Sequence, residues 1–200
     1  MIELELDTTD TVRDLSNGFA DVALRAGHDL TGGGLAGRRI APDPWAFYCS
    51  RGYAEAHGIP RSPAMLRSHA LIGGGGENVW SIYRKWLHEN DLEANVSIRH
   101  SSSTSLLSAV RAGAGVAVLP RMVAGGDPDL IRCLSPARGD TISLWLLTYE
   151  RVRHAMPVHT VIDFIYARLK RTAAQLDAED EAAFGRRDLS PLADAPQTPI

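Results

Sequence analysis

The sequence predicts an α/β fold, on three observations. Met1-Ile2-Glu3-Leu4-Glu5-Leu6 alternates apolar and charged residues with the period of a strand. Thr8-Thr9-Asp10 then supplies helix-start residues, with Val12, Leu15 and Phe19 at helical spacing behind them. Asp21-Val22-Ala23-Leu24-Arg25 closes the unit as a buried strand. A β-α-β unit of this length favours a parallel sheet.

Further elements follow in order. The strand that begins at Asp21 ends at Ala26-Gly27; the stretch after it, with Gly32-Gly33-Gly34, Pro42 and Pro44, reads as long and irregular, and Trp45–Cys49 as a buried strand. A short helix over Tyr53–His57 is stopped by Gly58 and Pro60. Ala70-Leu71-Ile72 is a short strand. Val79, Ile82, Tyr83, Trp86 and Leu87 recur at the spacing of an amphipathic helix. Asn95–Arg99 reads as a strand, Ser105–Ala112 as a helix, and Val116–Leu119, Leu130–Leu134 and Ile142–Tyr149 as strands. Pro157 opens a last helix with Val158, Val161, Ile162, Ile165 and Leu169 on one face. Beyond Ala174 the periodicity fades into acidic residues and prolines, so 175–200 is expected to be a disordered tail.

Charge is unevenly placed. Of 21 basic and 24 acidic residues, the segment 175–200 holds two basic and six acidic ones, which leaves a nearly neutral body. No basic stripe supplies the footprint of a nucleic-acid surface. The two cysteines, Cys49 and Cys133, lie far apart in apolar patterns and read as core. Without a signal peptide, or an apolar run near the roughly 20 residues a span needs, a soluble cytoplasmic protein is expected, with no membrane partner.

Residues 101–120, SSSTSLLSAVRAGAGVAVLP, hold both a Gly-x-Gly and a polar cluster. A dinucleotide fingerprint places its glycines after a strand and before a helix. Gly113 and Gly115 follow the helix, so they fit a helix end and a tight turn. Ser101 to Thr104 stand at the helix start, where unpaired N–H groups and a partial positive charge suit an anion. Capping alone needs only one of the four, so binding and capping both remain open here. Thr8-Thr9-Asp10 repeats the arrangement after the first strand. Gly73–Gly76 has the polarity of a phosphate loop but lacks the lysine and hydroxyl that such a loop requires, and reads as a flexible loop. The seven histidines show no metal-ligand spacing and no nucleophile elbow occurs. The expectation is therefore no catalytic residue, no metal and no cofactor.

Four collinear blocks carry a resemblance: residues 2–27, 45–72, 101–120 and 143–169. Together they resemble the effector-binding domain of LysR-type transcriptional regulators. The resemblance implies a two-lobed, periplasmic-binding-protein-like (type II) fold with two crossover strands near Trp45–Cys49 and Ile142–Tyr149. Lobe one is then residues 1–45 plus 149–174, and lobe two is residues 46–148. A small effector, often a carboxylate, is expected in the cleft. Thr8 and Thr9 match the helix-start contacts of lobe one, Arg25, Ala26 and Gly27 the loop after its next strand, and Ser102, Ser103 and Thr104 the helix-start contacts of lobe two. Arg25 either meets a ligand carboxylate or pairs with a surface acid. Such regulators also carry a winged helix-turn-helix, which gives them DNA as a partner, and they oligomerise. That part and the first strand and helix of lobe one have no counterpart here. The chain therefore reads as a fragment of a longer regulator, with lobe one expected to fold poorly alone. The alternative is a free-standing small-solute-binding protein, or a decoy subunit that joins full-length relatives.

Overall fold

The computed structural model describes residues 2–8, 15, 18–28, 30, 33–75, 77–135 and 142–184, with the backbone alone for 77–79, 81, 82 and 181–184. The strands are β1 (Val22–Gly27), β2 (Leu35–Pro42), β3 (Trp45–Ser50), β4 (Leu71–Gly74), β5 (Val96–His100), β6 (Ala117–Pro120), β7 (Leu130–Arg132) and β8 (Ser143–Tyr149). The helices are α1 (Arg51–His57), α2 (Pro63–Leu66), α3 (Glu77–Glu89), α4 (Ser103–Arg111), α5 (Arg121–Ala124) and α6 (Met156–Phe184).

The second half of the fold follows most directly from sequence. β3 carries an unbroken apolar run because both of its faces are covered. Phe47 and Cys49 point to one side, into a core with Leu71, Tyr83, Leu87 and Val118, beneath α3. Ala46 and Tyr48 point to the other, with Ile72, Leu106, Val110 and Leu119, beneath α4. β6 repeats the alternation. β3 lies between β6 and β7, antiparallel to both. β4 pairs with β5 in parallel and reaches β6 through a parallel bridge from Leu71 to Val116. Gly115 makes that bridge possible: its φ is +156°, and a side chain there would strike the Ala70 carbonyl.

The first sheet corrects three expectations. It is antiparallel, with β8 inserted between β1 and β2, so the parallel unit predicted around residues 2–25 is not what forms. Residues 2–8 make no strand and are exposed, with Leu6 at 85%. Their alternation is real, but among the described residues no neighbouring strand takes their backbone groups. β1 itself is only half-buried. The third correction is β2, which runs through the stretch read as irregular; Gly37, Arg38, Arg39 and Pro42 hide its pattern, and only Ile40 and Ala41 are buried. The predicted helix behind Thr8 lies almost wholly outside the described residues.

α6 covers this sheet with Ile162, Ile165, Tyr166, Leu169 and Ala173, against Ile40, Ala41, Leu144 and Leu146. It then continues to Phe184. The stretch 175–184 is therefore helical rather than a disordered tail. Leu176 is buried and Asp177 and Asp180 are ion-paired, which anchors turns that weak periodicity leaves unmarked. Residues 185–200 lie outside the described residues.

Candidate functional site

β4 and β5 run in parallel, so their carboxyl ends arrive together, the place where open α/β sheets hold ligands. The two strand ends are tightly joined. Gly74 (φ +112°) lies so close to the backbone of His100 that no side chain fits, and the Gly75 N–H donates to the His100 carbonyl at 3.2 Å. Gly73 and Gly74 are thus buried strand residues, not part of a loose loop.

α4 starts directly beyond β5. Ser102 is its N-cap: its Oγ accepts the Ser105 N–H at 3.2 Å. Ser103 Oγ donates to the Gly75 carbonyl at 3.1 Å and ties the helix to the end of β4. Thr104 stands exposed on the first turn. The three hydroxyls predicted from sequence are therefore together, with different tasks. Ser102 caps, Ser103 braces, and Thr104 has its hydroxyl at the positive end of a nine-residue helix.

The other predicted residues sit on the first sheet. Arg25 is half-buried on β1 opposite Trp145, Ala26 is exposed, and Gly27 faces Ser143. The Gly27 carbonyl accepts Trp145 Nε1–H at 3.2 Å. This end of β1 lies beside the two crossing segments, because Pro42 also faces Ser143 and the Asp43 N–H donates to the Ile142 carbonyl at 2.8 Å. Thr8 is exposed in a segment without helix or strand, and Thr9 lies outside the described residues. Two surface hollows, of about 480 and 270 Å³, are lined by other residues: Tyr53, His57 and Arg111 in the larger, Arg38, His154 and His159 in the smaller.

Sequence reading missed what surrounds both strand ends. Arg99 lies over the Trp80 ring at 4.7 Å, and Trp80 packs on Gly73. At the crossing, Asp43 is 2% exposed, and its Oδ1 accepts the Met122 N–H at 2.9 Å. Burial raises its carboxyl from the usual 3.8 to about 6, against the opposing pull of the Met122 N–H and the Arg121 charge. The Pro42-Asp43-Pro44 run, an acid between two residues without backbone donors, was the available signal. Cys49 and Cys133 are buried with their sulfurs 3.5 Å apart. Among the described residues no group of three or more His, Cys, Asp or Glu side chains is placed to hold a metal ion, and no helix is long and apolar enough to cross a membrane.

Two α/β bodies joined by a pair of crossing segments, with hydroxyls and glycines gathered at strand ends, define a periplasmic-binding-protein-like fold of type II. The chain belongs to the LysR substrate binding domain family, which it matches over residues 2–170. That is a regulatory family rather than an enzyme family. In structure the chain is similar to the regulatory domain of CrgA, a LysR-type transcriptional regulator from Neisseria meningitidis, with a TM-score of 0.63, 24% identity and 78% of each chain covered. It is also similar to the effector domain of the transcriptional regulator AmpR of Pseudomonas aeruginosa, with a TM-score of 0.61, 23% identity, and 88% of this chain and 83% of that one covered. At these identities the likeness concerns the fold. In sequence it is 27% identical over 126 residues to an uncharacterized HTH-type transcriptional regulator of Haemophilus influenzae, covering 62% of this chain and 43% of that protein. The chain thus spans less than half the length of this curated relative.

Proposed function

We propose that this chain is the effector-sensing module of a LysR-type transcriptional regulator and that its effector is a small anion, a carboxylate above all. Ser102, Ser103 and Thr104 would supply the second-body contacts, at the start of α4. Thr8, Thr9, Arg25, Ala26 and Gly27 would supply the first-body contacts, the body whose sheet β8 completes. The observation that carries this reading is the junction of β4, β5 and α4. There a helix N-terminus meets two parallel strand ends and presents the Thr104 hydroxyl to solvent.

The mechanism is a population shift. A ligand that contacts both bodies favours one hinge state by as much as its affinity differs between states. Coupling of about 1–3 kcal/mol is enough for a regulatory response. The change would be read by DNA-binding heads of the whole regulator and spread through its oligomer.

The test is a thermal-shift and calorimetric screen of small carboxylates, repeated on Thr104→Val and Ser102→Ala. Thr104→Val should weaken binding about tenfold, as loss of one hydrogen bond to a charged ligand does, with melting unchanged. Ser102→Ala should lower stability by about 1 kcal/mol through the lost cap. Unchanged affinity in Thr104→Val would return the cluster to capping and bracing alone.

A further inference from the structure

The last turns of α6 have no part in the function above, yet they make some of the shortest ionic contacts in the molecule. α6 is carried by the first sheet, through its contacts to Ile40, Leu144 and Leu146. Past Ala173 it leaves that sheet. Leu176, 5% exposed, packs on Gly125 at the end of α5, so closely that a side chain at Gly125 would lie 2.8 Å from Leu176 Cδ2. One turn further, Asp177 Oδ1 meets Arg121 Nη2 at 2.6 Å. Asp180 is shared: Oδ2 meets Arg121 Nη1 at 3.1 Å and Oδ1 meets Arg132 Nη1 at 2.6 Å. Both arginines belong to the second sheet's side of the molecule, Arg121 directly after β6 and Arg132 at the end of β7.

Arg121 also touches the crossing point. Its backbone N–H donates to the Pro44 carbonyl at 3.1 Å, and the next N–H, of Met122, binds the Asp43 carboxyl. Asp43 in turn is bonded to Ile142 on the other crossing segment. A continuous path therefore runs from α6 through Arg121 to both segments that join the bodies, while Arg132 holds the same carboxylate to β7. The arginines are poorly hydrated, with side-chain exposures of 8% for Arg121 and 24% for Arg132. A guanidinium withdrawn from water this far needs its carboxylate, and breaking such a pair costs more than breaking a surface one.

We propose that residues 174–184 of α6 are an intramolecular latch across the hinge, with the Asp180 carboxylate as its bolt, and that the two bodies change angle only when this latch gives. The inference rests on the two-body reading above, but its test needs no ligand. Hydrogen exchange is followed on the full 200-residue chain for the wild type, Asp180→Asn, and Glu179→Gln as a control. Glu179 is exposed on the same helix and lies outside the ion pairs described, so it removes the same charge without touching the bolt.

In Asp180→Asn, amides of 172–180, of 121–125, and of Asp43 at the crossing should exchange about tenfold faster together. Those of β4 and β5, and the whole of Glu179→Gln, should match the wild type. Faster exchange confined to 172–184, or none, would overturn the latch. If Asp180→Asn does not fold, Asp177→Asn, whose carboxylate is 63% exposed, should show the same pattern at about twofold, and a confined response there overturns the proposal equally. Coupled exchange in a protein that answers no carboxylate would keep the latch and sink the effector reading.

Discussion

Replacing Asp43 with Asn is the sharpest probe of the crossing. The side chain is almost fully buried, and burial lifts its carboxyl from 3.8 to about 6. At about 1.4 kcal/mol per pH unit, keeping it ionised in the folded protein costs roughly 3 kcal/mol relative to the unfolded chain. The folded value is the higher one, so the folded state holds the proton more tightly. The group's contribution is then most favourable below pH 3.8. It falls as pH rises toward 6, and above that it stays at its least favourable level. Asn keeps an oxygen to accept the Met122 N–H and carries no charge. Its amide hydrogens need acceptors, which returns about 1 kcal/mol. Asp43→Asn should therefore be about 1–2 kcal/mol more stable than wild type at pH 7.5, and the difference should shrink or reverse near pH 4. Urea denaturation at both pH values measures this. A variant less stable than wild type by more than about 1 kcal/mol at pH 7.5 would show that Arg121 depends on the Asp43 charge, and the burial argument would fail.

Further predictions test the supporting structure. Gly74→Ala, forced against the His100 backbone at positive φ, should cost more than about 2 kcal/mol and lower protection of the β4–β5 amides in hydrogen exchange. Leu87→Ala should cost about 3 kcal/mol in denaturant unfolding, since Leu87 is fully buried in the core that also holds Phe47 and Tyr83. Tyr53→Phe should cost about 1 kcal/mol. Its hydroxyl accepts the Ala70 N–H and meets His69 Nδ1, both at 3.2 Å, and removing it leaves those groups without their partner.

Legibility in the sequence followed burial. β3, β6 and α4 were readable because both faces of their sheet are covered and the apolar pattern is dense. β2 was not, because it lies at the edge of a half-covered sheet and its arginines find partners far away in sequence: Arg38 pairs with Asp163 and stacks on Tyr166 of α6, and Arg39 Nε donates to Ser143 Oγ. The alternation at Ile2–Leu6 was real in the sequence and produced no strand, because periodicity states what a segment could pair and not whether a neighbour is there. The hydroxyls at the α4 start were legible as a group, but their division into cap, brace and exposed hydroxyl was not. That division depends on Gly75, brought beside them by β4. Nothing local marked the Asp180 contacts either, since Arg121 and Arg132 are 59 and 48 residues away in the chain.

The place of β8 between β1 and β2 sets an order of events during synthesis. Val22 opposes Thr148 and Leu35 opposes Tyr149, so neither early strand meets its partner until the chain has passed residue 149. Every strand of the other sheet lies between Trp45 and Arg132. At about 5–20 residues per second, that sheet has its full complement before β8 exists. The first two strands wait meanwhile with their edges open, the interval in which strand mispairing is most costly. The half of the molecule made first is thus the half completed last.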